Sequence, residues 1–306
     1  MDVTDRKEYS LGVLLVVIGS IFFSSKAIFV KLGIKSGSDS ITLLALRMLS
    51  AFPFYLVFLF YAISKKKLQK LTKNDWKKVV MLGVLGYYLA SLFDFIGLSY
   101  INASLERLIL FTYPTMVLIL GRIFYNRRIH VIQWMAVLVC FIGLGLAFVG
   151  DMNIAYSKGL YVGLFYVLLS ALTYAYYLVS SDGLITRIGS SLFTALSLLV
   201  STVAVFVHVM IAHPVHIDEI SRVTWYYGCA LGIIATVIPT FLIAAGIKKI
   251  GSANASLIAS IGPVSTIILA SVFLEEKLTL SHIIGTILVL VGVILIGSNK
   301  TNRSHG

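Results

Sequence analysis

The sequence predicts an all-α integral membrane protein of ten transmembrane helices, built as two inverted five-helix repeats. Three observations predict it. Only 12% of the 306 residues are charged while 58% are hydrophobic, against about 25% charged in an ordinary soluble domain. A mean hydropathy of +0.95 leaves too little polar surface to coat a globule in water, so lipid is the solvent such a chain can face. Ten apolar runs follow one another, and the second half repeats the first at a fixed offset.

A membrane-crossing helix takes roughly 20 mostly apolar residues. Runs of that kind lie near 11–32, 41–63, 77–98, 103–124, 131–149, 159–180, 191–211, 224–246, 252–274 and 280–297. The first follows Arg6 and Lys7 and looks like a signal peptide over residues 11–23. Its apolar continuation over 27–30 and its counterpart later in the chain argue for a retained helix. The second holds Arg47 and Pro53. The connection around residues 64–76 is the longest, is rich in lysine and is too short for a soluble domain. The third run carries Tyr87, Tyr88 and Asp94; the fourth carries Glu106, Arg107, Tyr113 and Pro114. The fifth is uncharged. The sixth opens on Gly159-x-x-x-Gly163, a spacing that lets helix backbones approach, and later holds Tyr174, Tyr176 and Tyr177. The seventh contains His208. The eighth repeats the small-residue spacing at Gly228 and Gly232 and holds Pro239. The ninth carries Asn254, Ser256, Ser260 and Pro263, and the tenth begins near His282.

Basic residues set the orientation. With the N-terminus inside, the inner segments hold seventeen lysines and arginines and the outer segments five, the remaining three (Lys26, Arg47 and Arg107) lying within helices. That bias predicts both termini in the cytoplasm. It also removes nucleic acid as a reading of the +12 net charge, since the basic residues sit where membrane topology puts them. Cys140 and Cys229 lie in separate apolar runs without a CxxC partner and read as small packing residues.

From Gly83 to Val149 a shift of 149 residues lands on the second half without a gap: Gly97 meets Gly246, Ile101 meets Ile250, Pro114 meets Pro263 and Gly143 meets Gly292. Gly12 meets Gly163 at a shift of 151. Residues 1–150 and 151–306 are the two expected repeats. Five helices is an odd number, so the second copy enters the membrane from the opposite side, the arrangement of secondary carriers.

Five ionisable residues fall within the runs, all in the first half: Lys26, Arg47, Asp94, Glu106 and Arg107. A charge at the centre of a span costs about 3 kcal/mol on insertion scales. Long stems can carry Lys26 and Arg47 to the surface, or they can pair internally. Asp94 and Glu106 reach less far and are expected inside. Such a group suits a zwitterion or anion, with a basic side chain on the carboxylate and an acid on the amine. Tyr113, beside Pro114, is the aromatic expected at a cavity wall. The tyrosines of the third and sixth runs read as interfacial anchors, Tyr87 also as a candidate contact. Asn254 and Ser256 have hydrogen-bonding groups for a ligand or for a neighbouring helix. Pro114 and Pro263, matched by the repeat, are expected hinges with freed carbonyls near Leu110 and Ala259.

The external loop with His213, His216, Asp218 and Glu219 lacks a fixed third ligand and reads as solvated. His208 and His282 have no evident partner. No phosphate loop or catalytic serine motif stands at a plausible depth, so no cofactor or metal is expected.

The stretch GPVSTIILASVFLEEKLTLSHIIGTILVLVGVILI resembles the EamA-type members of the drug/metabolite transporter superfamily. It has their proline, then small and apolar residues, then a helix-ending Glu (Glu275 or Glu276), then a glycine-rich last helix. The first-half stretch YPTMVLILGRIFYNRRIHVIQWMAVLVCFIGLGLAF departs in having Asn126 where the family often has Glu. The resemblance covers residues 11–297. It implies a ten-helix carrier, with helices 1, 3, 4, 6, 8 and 9 around a central cavity. A secondary active transporter of a small metabolite such as an amino acid, an exporter or exchanger working by alternating access, is then the expectation, in a bacterial inner membrane. Its partners are a small-molecule substrate and membrane lipid, with a homodimer among the oligomeric options. A membrane enzyme on a lipid-like substrate would want acids, histidines or metal ligands on the inner loops, which offer mainly lysine and arginine. A non-transporting receptor or accessory subunit has less use for inverted repeats.

Overall fold

A long apolar segment in hydrocarbon must satisfy its own backbone hydrogen bonds, which the α-helix does locally. Every regular element among the described residues of this computed structural model is helical; residues 3–64, 71–126, 129–152, 159–212 and 220–301 are described. In chain order they are α1 (Val3–Lys35), α2 (Ser40–Ser64), α3 (Lys73–Gly83), a π-helical turn (Val84–Leu89), α4 (Ala90–Tyr100), α5 (Ala103–Leu110), α6 (Tyr113–Tyr125) and α7 (Val131–Met152). There follow α8 (Leu160–Ile188), α9 (Ser190–Ala212), α10 (Arg222–Gly232), a second π-helical turn (Ile233–Val237), α11 (Ile238–Ala259), α12 (Ile261–Leu274) and α13 (Leu280–Thr301).

Among the described residues, seven helical stretches are long and apolar enough to cross a membrane: Lys7–Lys35, Ser40–Ser64, Lys73–Tyr100, Ala103–Tyr125, Leu160–Ile188, Leu192–Ala212 and Arg222–Gly251. Val131–Ala147, Ile261–Leu274 and Leu280–Leu295 are shorter apolar helices. Large apolar side chains such as Val57, Val131, Met210, Val272 and Leu280 point outward, an exposure that lipid tolerates and water does not.

The fourth and ninth runs are not continuous. The fourth divides at Phe111 and Thr112, and Pro114 stands in the first turn of α6. A proline there leaves no helical hydrogen bond unmade. Gly251 (φ 79°, ψ 159°) breaks the helix between the eighth and ninth runs, and the ninth divides between α11 and α12, with Pro263 in the first turn of α12. Both prolines therefore begin helices.

These irregularities recur at an offset of 149. The π-helical turns start at Val84 and Ile233. Asn126 (φ 49°) and Glu275 (φ 58°) are the non-glycine residues with positive φ among the described residues, and each ends a helix. Close packing recurs too, with α4 against α8 and α1 against α11. A Cβ added to Gly97 would lie 2.4 Å from Val167 Cγ2, and one added to Gly246 would lie 2.4 Å from Val16 Cγ2. Only glycine permits either crossing. In the α7–α13 pair, Cys140 is buried with its Sγ 3.6 Å from the Val289 carbonyl, the packing role read from sequence.

Polar links tie the helix ends at two opposite faces. At one, Ser38 and Thr224 share a hydrogen bond of 2.5 Å, Lys35 reaches the Leu274 carbonyl and Glu276 reaches the start of α5. At the other, Arg187 at the end of α8 pairs with Asp75, and Lys249 pairs with Glu8. Asp75 also closes a capping box with Thr72 at the start of α3, which satisfies N-terminal amides that the helix cannot.

Candidate functional site

Four of the five in-helix charges converge. Lys26 stands on α1, Asp94 on α4, and Glu106 and Arg107 on the short helix α5. All four are buried, Asp94 at 1% and Glu106 at 0% exposure. Lys26 Nζ lies 2.5 Å from Asp94 Oδ2 and 3.9 Å from Glu106 Oε1. The ammonium thus sits between two carboxyl groups and is bonded to one. No amide, hydroxyl or cationic donor among the described residues reaches either oxygen of Glu106 or the second oxygen of Asp94, and the two carboxyl groups lie within hydrogen-bonding reach of each other. Arg107 Nε and Nη2 are likewise buried without a partner, and its guanidinium carbon lies 5.7 Å from the Phe23 ring centroid. A ring face is a partial substitute for an anion. It leaves the in-plane donors unused, and those donors suit a carboxylate.

Arg47 is buried as well, but it is satisfied. Its Nε donates to Thr236 Oγ1 at 2.9 Å, its Nη1 donates to Ser91 Oγ at 3.1 Å, and its guanidinium carbon lies 5.6 Å from the Phe95 ring centroid. Neither Lys26 nor Arg47 reaches the surface, so internal pairing is the arrangement found for both. Thr236 sits within the second π-helical turn, 189 residues from Arg47, and nothing in the sequence marked it.

Tyr113 opens α6, three residues beyond the end of α5, and joins an aromatic cluster. Its ring meets Tyr174 edge-on at 5.3 Å, Tyr174 stacks with Tyr177 at 5.9 Å, and Tyr177 meets Tyr87 edge-on at 5.1 Å. Tyr177 also stacks on Phe193 at 5.5 Å and is buried. Tyr174 and Tyr177 are therefore interior residues, contrary to the interfacial role expected of them; Tyr87, half-buried, sits with them. A column of tyrosines offers flat faces and edge hydroxyls to a small organic solute.

Asn254 is exposed, and its Nδ2 donates to its own helix at the Ile250 carbonyl, 2.9 Å away. The side chain of Ser256 and the loop with His213, His216, Asp218 and Glu219 lie outside what the structure describes. His282 does have a neighbour, Thr279, whose hydroxyl is 3.1 Å from Nδ1, and the His208 ring meets Tyr88 at 5.9 Å. No three metal-binding side chains cluster among the described residues.

Residues 10–149 and 161–298 each match the EamA-like transporter family. The chain belongs to that family. The uncharacterized transporter YcbK of Bacillus subtilis (strain 168) is 32% identical over 284 residues, 91% of this chain and 90% of that protein. The uncharacterized transporter sll1319 of Synechocystis is 26% identical over 97% of this chain and 96% of its own length. A crystal structure superposes with a TM-score of 0.62 over 93% of this chain and 96% of the other, at 16% identity, a likeness of fold alone. Membership in the EamA-like family makes this an integral membrane protein of a transporter lineage, with a small molecule as its natural partner and no enzymatic chemistry to explain.

Proposed function

We propose that this EamA-family protein is a secondary carrier of a small zwitterionic metabolite such as an amino acid, an exporter or exchanger working by alternating access. Ten membrane-crossing helices in two inverted halves, residues 1–150 and 151–306, are the frame of that reading. The 149-residue recurrence of π-helical turns, positive-φ helix ends and glycine crossings supports it, as does the family match to each half. Inverted halves give two conformations of similar energy, one open to each side. The bias of basic residues supports cytoplasmic termini in a bacterial inner membrane.

One observation carries the substrate assignment: Glu106 and Arg107, adjacent on α5, are buried, Arg107 with two unused donors and Glu106 with no cation closer than the Lys26 ammonium at 3.9 Å. Burial of such groups is costly unless something fills them in another state of the protein. A zwitterion supplies both missing partners, its ammonium for Glu106 and its carboxylate for Arg107. Lys26 and Asp94 are held to each other and orient Glu106. Tyr113 and Tyr87 form the aromatic wall, and Pro114 and Pro263 mark the joints at which α5 and the end of α11 swing.

Counterflow in proteoliposomes tests this without knowledge of a driving ion. Labelled zwitterionic amino acids, anionic metabolites and nucleosides are each offered against their own unlabelled internal pool. Transient accumulation of zwitterions is expected. Accumulation of anions or nucleosides instead, or of no solute by folded and inserted protein, overturns the substrate assignment.

A further inference from the structure

We propose that Glu276 is the gating residue of this carrier: its carboxylate clasps the N-terminus of α5 and holds the protein closed at that face. The inference rests on the alternating-access reading above. The clasp is built from two distant parts of the chain. Ala103 N donates to Glu276 Oε1 at 2.7 Å, while Ser104 N and Ser104 Oγ donate to Oε2 at 3.1 and 2.6 Å. Asn102 Oδ1 takes the next amide, that of Leu105, at 2.7 Å. The first three amides of α5 are thereby satisfied, two of them by a residue beyond the end of α12. A carboxylate facing a helix N-terminus gains from both the charge-assisted bonds and the helix dipole.

What the clasp closes is visible in burial. Every residue of α5 from Ala103 to Ile109 is buried, including the charged pair Glu106 and Arg107. That helix packs on α12 and α8. The corresponding segment 149 residues on is the end of α11, where Asn254, opposite number of Leu105, is exposed. Its packing on α6 is not of the same extent among the described residues. The face at α5 is therefore shut. The offset also puts Arg127 opposite Glu276, and an arginine cannot accept from helix amides, so the repeat does not carry this carboxylate to the second copy of the motif. Lys35 reinforces the closed side by donating to the Leu274 carbonyl at 3.3 Å. For Glu106 and Arg107 to meet solute from this side, α5 must part from α12, and the Glu276 bonds are the polar ones that break.

The test reads accessibility and needs no substrate. In a chain with Cys140 and Cys229 replaced by Ala, Leu105→Cys places a thiol on the buried segment. A membrane-impermeant maleimide is added to one side or the other of sealed vesicles of known orientation. Labelling from the Glu276 face is expected to rise at least about tenfold in Glu276→Ala, the scale set by losing bonds to a charged group. Glu276→Gln, which keeps an acceptor, should fall between. Ser104→Ala removes a single donor and provides a milder variant if Glu276→Ala does not fold. Unchanged labelling in all three, or an equal rise from both faces, overturns the gating role and leaves Glu276 a static helix cap. Failed counterflow with selective labelling intact would count against the substrate reading alone.

Discussion

A buried ion in this protein is stable only through its partner, and Lys26 and Asp94 illustrate how much rides on one bond. They are 2.5 Å apart, with Lys26 8% and Asp94 2% exposed at the side chain. Removing one partner of such a pair costs about 3–5 kcal/mol, whereas replacing both with apolar groups of similar volume is often neutral. Asp94→Leu and Lys26→Met should each lower the melting temperature of the purified protein, and the double variant should recover most of the loss. Equal melting in all four proteins would show that the pair contributes nothing. Glu106→Gln behaves differently, because Glu106 has no close ion pair to lose, Lys26 being 3.9 Å away, and a glutamine keeps a hydrogen-bonding group against Asp94. That variant should insert and melt normally yet fail in counterflow; wild-type kinetics would remove Glu106 from the site. The sequence announced all these residues, since a carboxyl in an apolar run is conspicuous. It did not announce their pairing. Whether Lys26 meets Asp94 or reaches the surface depends on α1 and α4 lying side by side, a relation between residues 68 apart that no local pattern encodes. Arg47 and Thr236 are the extreme case.

At the level of elements, proline and glycine were legible as punctuation but not in their effect. Pro114 and Pro263 read as bends in long helices; both instead stand in the first turn of a new helix. The difference arises because α5 is capped at its own start and ends at Phe111, so the proline begins α6 where its missing amide costs nothing. The π-helical turns at Val84 and Ile233 left no sequence mark beyond the repeat itself, since their composition is ordinary apolar helix. If the two joints are hinges, Pro114→Ala lets α5 and α6 fuse into a stiffer rod. Counterflow in Pro114→Ala and Pro263→Ala should then slow several-fold with little change in melting temperature. A loss of melting temperature in proportion to activity would make the prolines structural. Of the glycines, Gly163 read as a close crossing from its spacing with Gly159, and a Cβ there would lie 2.5 Å from Ile101 Cγ2; Gly97 and Gly246, read only as repeat partners, pack against valine, so Gly97→Ala forces a Cβ to 2.4 Å from Val167. Its destabilisation should exceed the roughly 1–3 kcal/mol typical of overpacking only if α4 and α8 cannot separate, and thermal melting reads the difference.

Across the whole molecule the fold was the most legible feature, because the lipid solvent demands long apolar runs and the repeat copies them. Function divides the two copies. Among the described residues the buried acids, lysine and arginines lie in the first half alone, and the helix-end links differ between faces: Asp75 pairs with Arg187, while the residue 149 along, Thr224, pairs with the hydroxyl of Ser38. The Asp75–Arg187 pair fits a protein held in a single orientation, since Arg187 and its neighbours then meet the cytoplasm. Lys248 and Lys277 are exposed at opposite faces of that arrangement. With the native cysteines replaced, Lys277→Cys should react in intact cells with an impermeant maleimide, and Lys248→Cys should react only after the membrane is opened. The reverse result would invert the orientation and put the Glu276 clasp on the cytoplasmic side. Labelling of both positions in intact cells would mean that the chain inserts both ways. The distribution of seventeen inner against five outer basic residues argues against that outcome, because positive residues beside short loops resist translocation.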